Sequence, residues 1–419
     1  MTRTTTSPLP LDNITAPNLE SDVQRVVRDA LATRTPIYPL GGQTSLDFGL
    51  PAKHRGIGLD LTGMSKVIDY PARDMTITVE AGLRWQTLVT TLTQENQRLP
   101  VDVPSAAEAT VGGVLATNFN GPRRLGCGLL RDHVIGIAAV DGHGKLFHGG
   151  GRVVKNVAGY DFCKLLTGSL GTLAVITSAT FKLQPIPECS KWVVCSPKTL
   201  EVADDLLAKM VHSKSRPLAV ELLRGPAWAQ DPALAPLAKS RGCETALAAL
   251  LEGTNREVEW MTTQLQSEWH SAGIGDSIVI DETAALVSRM VEFPAATSSP
   301  LVLKASLRPS VVTAIIASAE QVDPQVSVVS HAQSGILVLR FSEFPSSGIS
   351  RAVVGRLQAE VAASGGSLVV LSNPSQSEMT QRSVFAIPQP VLAISTAIKR
   401  EFDPGDLLNR GRFIFRSES

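Results

Sequence analysis

Cysteine is scarce in this chain of 419 residues. Its five cysteines, Cys127, Cys163, Cys189, Cys195 and Cys243, show no CxxC or CxxH spacing. That excludes the usual zinc and iron–sulfur patterns and predicts reduced thiols in a cytosolic protein. An excess of either charge is also missing, since 39 Lys plus Arg balance 39 Asp plus Glu. The chain as a whole therefore lacks the basic footprint that binds nucleic acid or an anionic membrane. No uninterrupted apolar run reaches the ~18 residues of a membrane span, and the opening MTRTTTSPLPLDNITAP has no secretory apolar core. A cytoplasmic protein without a direct membrane span is expected, starting with a flexible polar tail over residues 1–16. Asn13-Ile14-Thr15 fits a glycosylation acceptor, which carries no weight without secretion. Two nucleotide motifs are absent as well: no GxGxxG opens a helix after a first strand, and no GxxxxGK[ST] occurs, because Lys145 precedes Leu146. A Rossmann domain and a P-loop are excluded.

What remains is a globular composition, 43% hydrophobic and 19% charged, long enough for two or three domains of ~100–200 residues. Val23, Val26, Val27, Ala30 and Leu31 recur at helical spacing after a cap at Ser21, and Pro36 ends that helix before a strand at 37–40. Strands are predicted at 57–61, 66–70 and 75–80, then a helix from Trp85 to about Asn96. Asp141-Gly142-His143-Gly144 joins strands 134–140 and 145–148 in a hairpin. A β-rich run over 173–183 closes at Pro185-Ile186-Pro187, where a domain boundary is expected. Beyond it, strands at 192–195, 218–223, 245–251, 301–307, 326–330, 336–341 and 367–371 alternate with helices near 199–213, 255–271, 283–291, 310–321 and 350–363. That alternation predicts an α+β domain, an antiparallel sheet with helices on one face.

Most information lies between Thr110 and Leu183, where fourteen glycines punctuate short β-branched runs. Such backbone can approach a large polar ligand closely and offer successive amides to an anion. Four blocks carry a resemblance: PIYPLGGQTSLDFG at 36–49, ITVEAGLRW at 77–85, the glycine-rich stretch with RDHVIG, KNVAGYD (155–161) and GSLGTLAVIT (168–177), and FDPGDLLNRGRF at 402–413. Together they resemble the FAD-binding fold shared by vanillyl-alcohol oxidase and p-cresol methylhydroxylase (PCMH type), and within it the FAD-binding GlcE subunits of glycolate oxidase, or glycolate dehydrogenase.

The resemblance implies a PCMH-type FAD-binding domain over 17–187, an α+β cap domain over 188–395 and a C-terminal segment over 396–419 that returns to the flavin. It implies that Leu40, Gly41, Gly42, Gln43, Thr44 and Ser45 wrap the FAD pyrophosphate. Gln43 stands where covalent members commonly have histidine, so non-covalent FAD is expected. Gly82, Pro104, Thr110, Gly112, Gly113, Thr117 and Asn118 match flavin-lining positions, and Arg131 and Asp132 match a pair beside the cofactor. Val175, Ile176 and Thr177 match a strand on the adenine side; Asn409 and Arg412 match the returning segment, although Arg410 replaces the usual proline.

Oxidation of a 2-hydroxy acid needs a carboxylate anchor, a base and a route for the hydride. Catalytic relatives carry a histidine pair in an HxGDGNxH-like segment; here the counterpart is His331-Ala332-Gln333-Ser334-Gly335-Ile336-Leu337-Val338, with one histidine left and none later. A metal site built on paired histidines is not expected. His331 is the candidate catalytic base, or a strand-end remnant. Lys304, Arg308 and Arg340 are candidate anchors, or solvated strand-end charges, and Arg123 and Arg124 form a basic step suited to a phosphate or an acidic partner. The resemblance implies glycolate oxidation in a complex with a GlcD-like flavoprotein and a GlcF-like iron–sulfur subunit, with membrane association through partners. Two alternatives stay open: a self-sufficient D-lactate-type dehydrogenase, and a structural subunit without cofactor.

Overall fold

A computed structural model describes residues 9–151, 159–237, 245–295, 299–386 and 388–413. Cys243 and Lys155 to Ala158 of the KNVAGYD block lie outside them. The chain divides into two units. The first comprises the chain through Asn120, Leu129–Ile186 and the stretch after Ala386; the second comprises Gly121–Gly128 and Pro187–Ala386. Two features depart from the sequence reading. Residues 121–128 belong to the second unit, and the returning segment begins near 387 rather than 396.

In the first unit, helix Glu20–Thr33 buries Val23, Val27 and Ala30 on one stripe, the period of an amphipathic helix. Its N-cap is Leu19, not Ser21: Leu19 is extended and its carbonyl accepts from the Asp22 and Val23 amides, while Glu20 and Asp22 set negative charge on the first turn. Strands Leu11–Thr15 and Ile37–Leu40 flank Gly56–Asp60 in a parallel three-stranded sheet. The expected tail is thus ordered over 11–15, because those residues satisfy their backbone groups on that sheet. A second, antiparallel sheet runs in the order Val67–Asp69, Thr76–Glu80, Ala174–Lys182, Val134–Asp141, Leu146–Gly150. Its hairpin turns at Gly144 with φ 74°, and the Asp141 carboxylate accepts from the amides of His143 and Lys145, each at 2.9 Å. Trp85, Leu88, Leu92, Val111, Leu115 and Phe181 form the core between this sheet and helices Trp85–Gln94 and Val111–Thr117.

Among the described residues the second unit holds one antiparallel sheet of eight strands, in the order Ser277–Ile280, Cys189–Cys195, Thr245–Gly253, Ala219–Arg224, Ser327–His331, Ile336–Phe341, Leu301–Ser306, Ser367–Ser372. Helices Leu200–Met210, Asn255–Ser271 and Val312–Glu320 cover one face over Leu222, Leu247, Leu303 and Leu339. The opposite face carries Trp192, Leu223, Val302 and Val329 and is partly covered by helix Thr283–Glu292 and by Trp228. Helix Asn255–Ser271 opens on a reciprocal cap between Thr254 and Glu257.

Candidate functional site

The loop after strand Ile37–Leu40 starts the site. Gly41 and Gly42 have no room for a side chain: a Cβ would lie 2.2 Å from Thr110 Oγ1 and 1.7 Å from the Glu108 carbonyl oxygen, respectively. Gln43 takes φ 58°, which turns the chain out of the strand. The amides of Gly42, Gln43, Thr44 and Ser45 donate to no protein acceptor among the described residues. Consecutive unsatisfied amides on a bent loop are a concave anion cradle.

A cavity of about 1120 Å³, counting its open mouth, runs along this loop within the first unit. Leu40, Gly41, Gly42, Gln43, Thr44, Ser45, Pro104, Thr110, Gly112, Gly113, Thr117, Val175, Ile176, Asn409 and Arg412 all line it. Thr110 caps helix Val111–Thr117 by accepting from the Gly113 amide. Leu61, Ala81, Val103, Val114, Phe119 and Ala174 supply apolar wall. Apolar walls with a few placed polar groups suit an aromatic ring joined to a charged tail.

Five predicted residues lie elsewhere in the unit. Gly82 packs against the carbonyls of Leu61 and Met64, which a Cβ would meet at 2.0 and 2.6 Å. Asn118 ends the helix at φ 50°, and its side-chain oxygen accepts from Asn120. Thr177 is buried, its hydroxyl 2.6 Å from Glu20 Oε1. Arg131 and Asp132 sit on an exposed helical turn, where the Asp132 carboxylate accepts from the Leu129 amide.

The returning segment shapes the far wall. Asn409, at φ 50°, donates to the carbonyls of Leu170 and Gly171, and its own amide bonds to the Ile37 carbonyl. The guanidinium of Arg412 is buried and donates to the carbonyls of Leu46, Phe48 and Leu50. Burial lowers its pKa, partly offset by Tyr38 and Asp47. Arg412 thus fastens the loop that carries the open amides. Leu170, Gly171, Phe48 and Phe413 also line the cavity but were not singled out in the sequence. Leu170 and Gly171 at φ 57° and 63° were marked only by their place in the GSLG run.

In the second unit, His331 is buried with its Nδ1 2.8 Å from Glu221 Oε2. Arg340 donates to Ser299 Oγ and lies 4.8 Å from the Phe293 ring centroid, while Arg308 is exposed. Arg123 pairs with Glu252 at 2.9 Å.

Comparison with known proteins places these features. Residues 11–150 match the family described as FAD binding domain. Glycolate oxidase subunit GlcD of Bacillus subtilis is 30% identical over 51% of this chain and 46% of its own length. The mitochondrial cytochrome-type D-lactate dehydrogenase of Arabidopsis thaliana is 33% identical over 51% of this chain and 37% of its own. Glycolate oxidase subunit GlcE of Escherichia coli is 36% identical over 39% of this chain and 47% of its own. The matched stretch therefore spans less than half the length of each of these relatives. Among solved structures, p-cresol methylhydroxylase with substrate bound superposes at TM-score 0.74, 17% identity, over 97% of this chain and 89% of that one. The fold is the PCMH-type FAD-binding fold, and FAD is its cofactor. The cradle suits that group: backbone amides stand ready for the diphosphate, and apolar walls for the ring system.

Proposed function

We propose that this chain is an FAD-dependent oxidoreductase acting on the CH–OH group of small 2-hydroxy acids, the FAD-binding subunit of a glycolate-oxidising complex. The observation that carries the reading is the cavity itself: open amides at Gly42–Ser45 beside apolar walls, in a chain whose residues 11–150 match an FAD binding domain. Relatives named as glycolate oxidase subunits and a D-lactate dehydrogenase supply the substrate class. When bound, the flavin supplies the two-electron acceptor. The loop amides hold the diphosphate, Arg412 and Asn409 keep the walls in register, and the apolar lining excludes water. Among the described residues that line the cavity there is no His, Cys or Tyr, which supports non-covalent binding. His331 serves as proton acceptor: with Nδ1 held by Glu221, its Nε2 is left to accept. The scattered cysteines give no cluster spacing, so electrons pass to a partner, read here as a GlcD-like flavoprotein and a GlcF-like iron–sulfur subunit. A self-sufficient D-lactate-type dehydrogenase is the second reading, favoured by the D-lactate dehydrogenase likeness.

An anaerobic visible spectrum tests this. The purified chain is expected to carry flavin that acid releases, and glycolate should bleach it when the GlcD-like partner is present. Bleaching by D-lactate in the isolated chain would establish the second reading. A chain that stays colourless after reconstitution with FAD would sink both.

Gly113 gives a sharper test of where the cofactor sits. A Cβ there would meet Thr110 Oγ1 at 3.4 Å, an ordinary contact, so the first atom of Gly113→Leu is accommodated by the protein, at a position that lines the cavity. Leaving glycine in a helix interior gains about 0.5–1 kcal/mol. The expected outcome is therefore a split: an apoprotein melting no lower than wild type, with FAD affinity reduced at least tenfold by fluorescence titration.

A further inference from the structure

The two ends of the eight-stranded sheet are finished differently. At one end strand Ser367–Ser372 meets Leu301–Ser306 with a register shift, and helix Gln381–Phe385 packs on it. A bulge and a covering helix both stop an edge from pairing further. At the other end strand Ser277–Ile280 pairs with Cys189–Cys195 in unbroken register, from Trp192 with Ile280 to Cys195 with Ser277. That strand has no proline, no lysine and no bulge.

In an antiparallel pair, alternate residues turn their amide and carbonyl away from the neighbour. Two of the four residues therefore present both groups at the margin of the sheet, and no backbone group takes them up among the described residues. Three of the four side chains are apolar and β-branched: Val279 is 37% exposed, and Ile278 and Ile280 are half-buried. Ser277 is held from behind, its Oγ 3.1 Å from Gln266 Nε2. An open ladder edge of this kind is a template for an added strand.

Charge decides what can be added. Asp276 precedes the strand and Asp281 and Glu282 follow it, all exposed, and the run 274–283 contains no Lys or Arg. Lys191 on the neighbouring strand pairs with Asp281 at 3.0 Å, which leaves the flanks with a negative surplus. A second copy docked about a twofold axis would run antiparallel and bring Asp276 of each copy toward Asp281 and Glu282 of the other. Like charges would then meet at both ends. A strand with basic ends meets attraction there instead.

We propose that Ser277–Ile280 is a docking edge for an extended segment of a partner protein, apolar at alternate positions and carrying Lys or Arg at both ends. Main-chain hydrogen bonds hold such a segment, and the acidic flanks select it. None of these residues lines the cofactor cavity, so the site stands or falls apart from the functional reading above.

The full chain can be titrated with two fluorescein-labelled peptides, KKVTVTVKK and EEVTVTVEE, and followed by anisotropy. The lysine peptide should bind at least about tenfold tighter at low salt, with the difference shrinking as salt is added. On the unaltered protein, hydrogen exchange across 277–280 should slow when the lysine peptide is bound. Asp276→Lys combined with Glu282→Lys should reverse the preference between the peptides. Both side chains are exposed, so the urea midpoint should hold. Equal affinity for the two peptides, no binding of the lysine peptide, or unchanged exchange at 277–280 would overturn the site. Concentration-dependent self-association in light scattering that Val279→Lys abolishes would assign the edge to a second copy and overturn it as well.

Discussion

Lys399→Met will cost the first unit about 3–5 kcal/mol, the range for removing one partner of a buried ion pair. The Lys399 ammonium is buried and donates to Asp403 Oδ2 at 2.6 Å, the Thr172 carbonyl at 2.8 Å and the Leu408 carbonyl at 3.1 Å. Asp403, also buried, accepts from the amides of Leu407 and Leu408. This clasp fixes the turn from which Asn409 reaches Leu170 and Gly171, and Arg412 reaches the loop at 46–50. Methionine leaves a carboxylate in a poorly solvated place with its cation gone. Urea melts of the apoprotein should show the loss, and FAD titration should show affinity at least tenfold weaker, because residues 409 and 412 line the cavity. The double variant Lys399→Met with Asp403→Asn should recover part of the stability, since the buried Asp403 charge is then no longer stranded. If the double variant is as unstable as the single one, the effect comes from packing rather than from the ion pair.

How much of this was legible in the chain depends on how local the determinant is. The helix at 255–271 and the hairpin at 141–144 could be read directly, because periodicity and turn glycines act within a few residues. The strand at 11–15 could not, because its pairing partner is Gly56–Asp60 and its own residues are mostly polar and exposed. Strand Ser277–Ile280 was missed for the same reason: it is a four-residue edge strand ordered by Cys189–Cys195. The cradle at 40–45 was visible through its paired glycines. The need for those glycines, the close approach of Glu108 and Thr110, appears only in the fold. Arg412 was picked out by motif, yet its three carbonyl partners lie more than 360 positions away. Arg124 and Lys304 are 180 positions apart, read separately as a basic step and a strand-end charge. Only the fold brings the charge of Arg124 within reach of Lys304.

Lys304→Met should stabilise the second unit at neutral pH, by about 1–3 kcal/mol given 1.36 kcal/mol per unit of pKa and some relief from partial solvation. The ammonium titrates near 8 in the fold against an ordinary 10.5, burial being the larger cause and Arg124 the lesser. Between those two values the unfolded chain keeps a proton that the folded chain has released, so wild-type stability climbs as pH rises through that window. Below about pH 8 both states are protonated, and the folded state bears the whole cost of a desolvated cation. Methionine bears none of it and fills a similar volume. The variant should therefore melt at higher urea than wild type at pH 7, with the gap narrowing above pH 8 and closing near 10.5. If wild type is instead the more stable protein at pH 7, the contacts of Lys304 outweigh its burial. The lysine is then part of the scaffold.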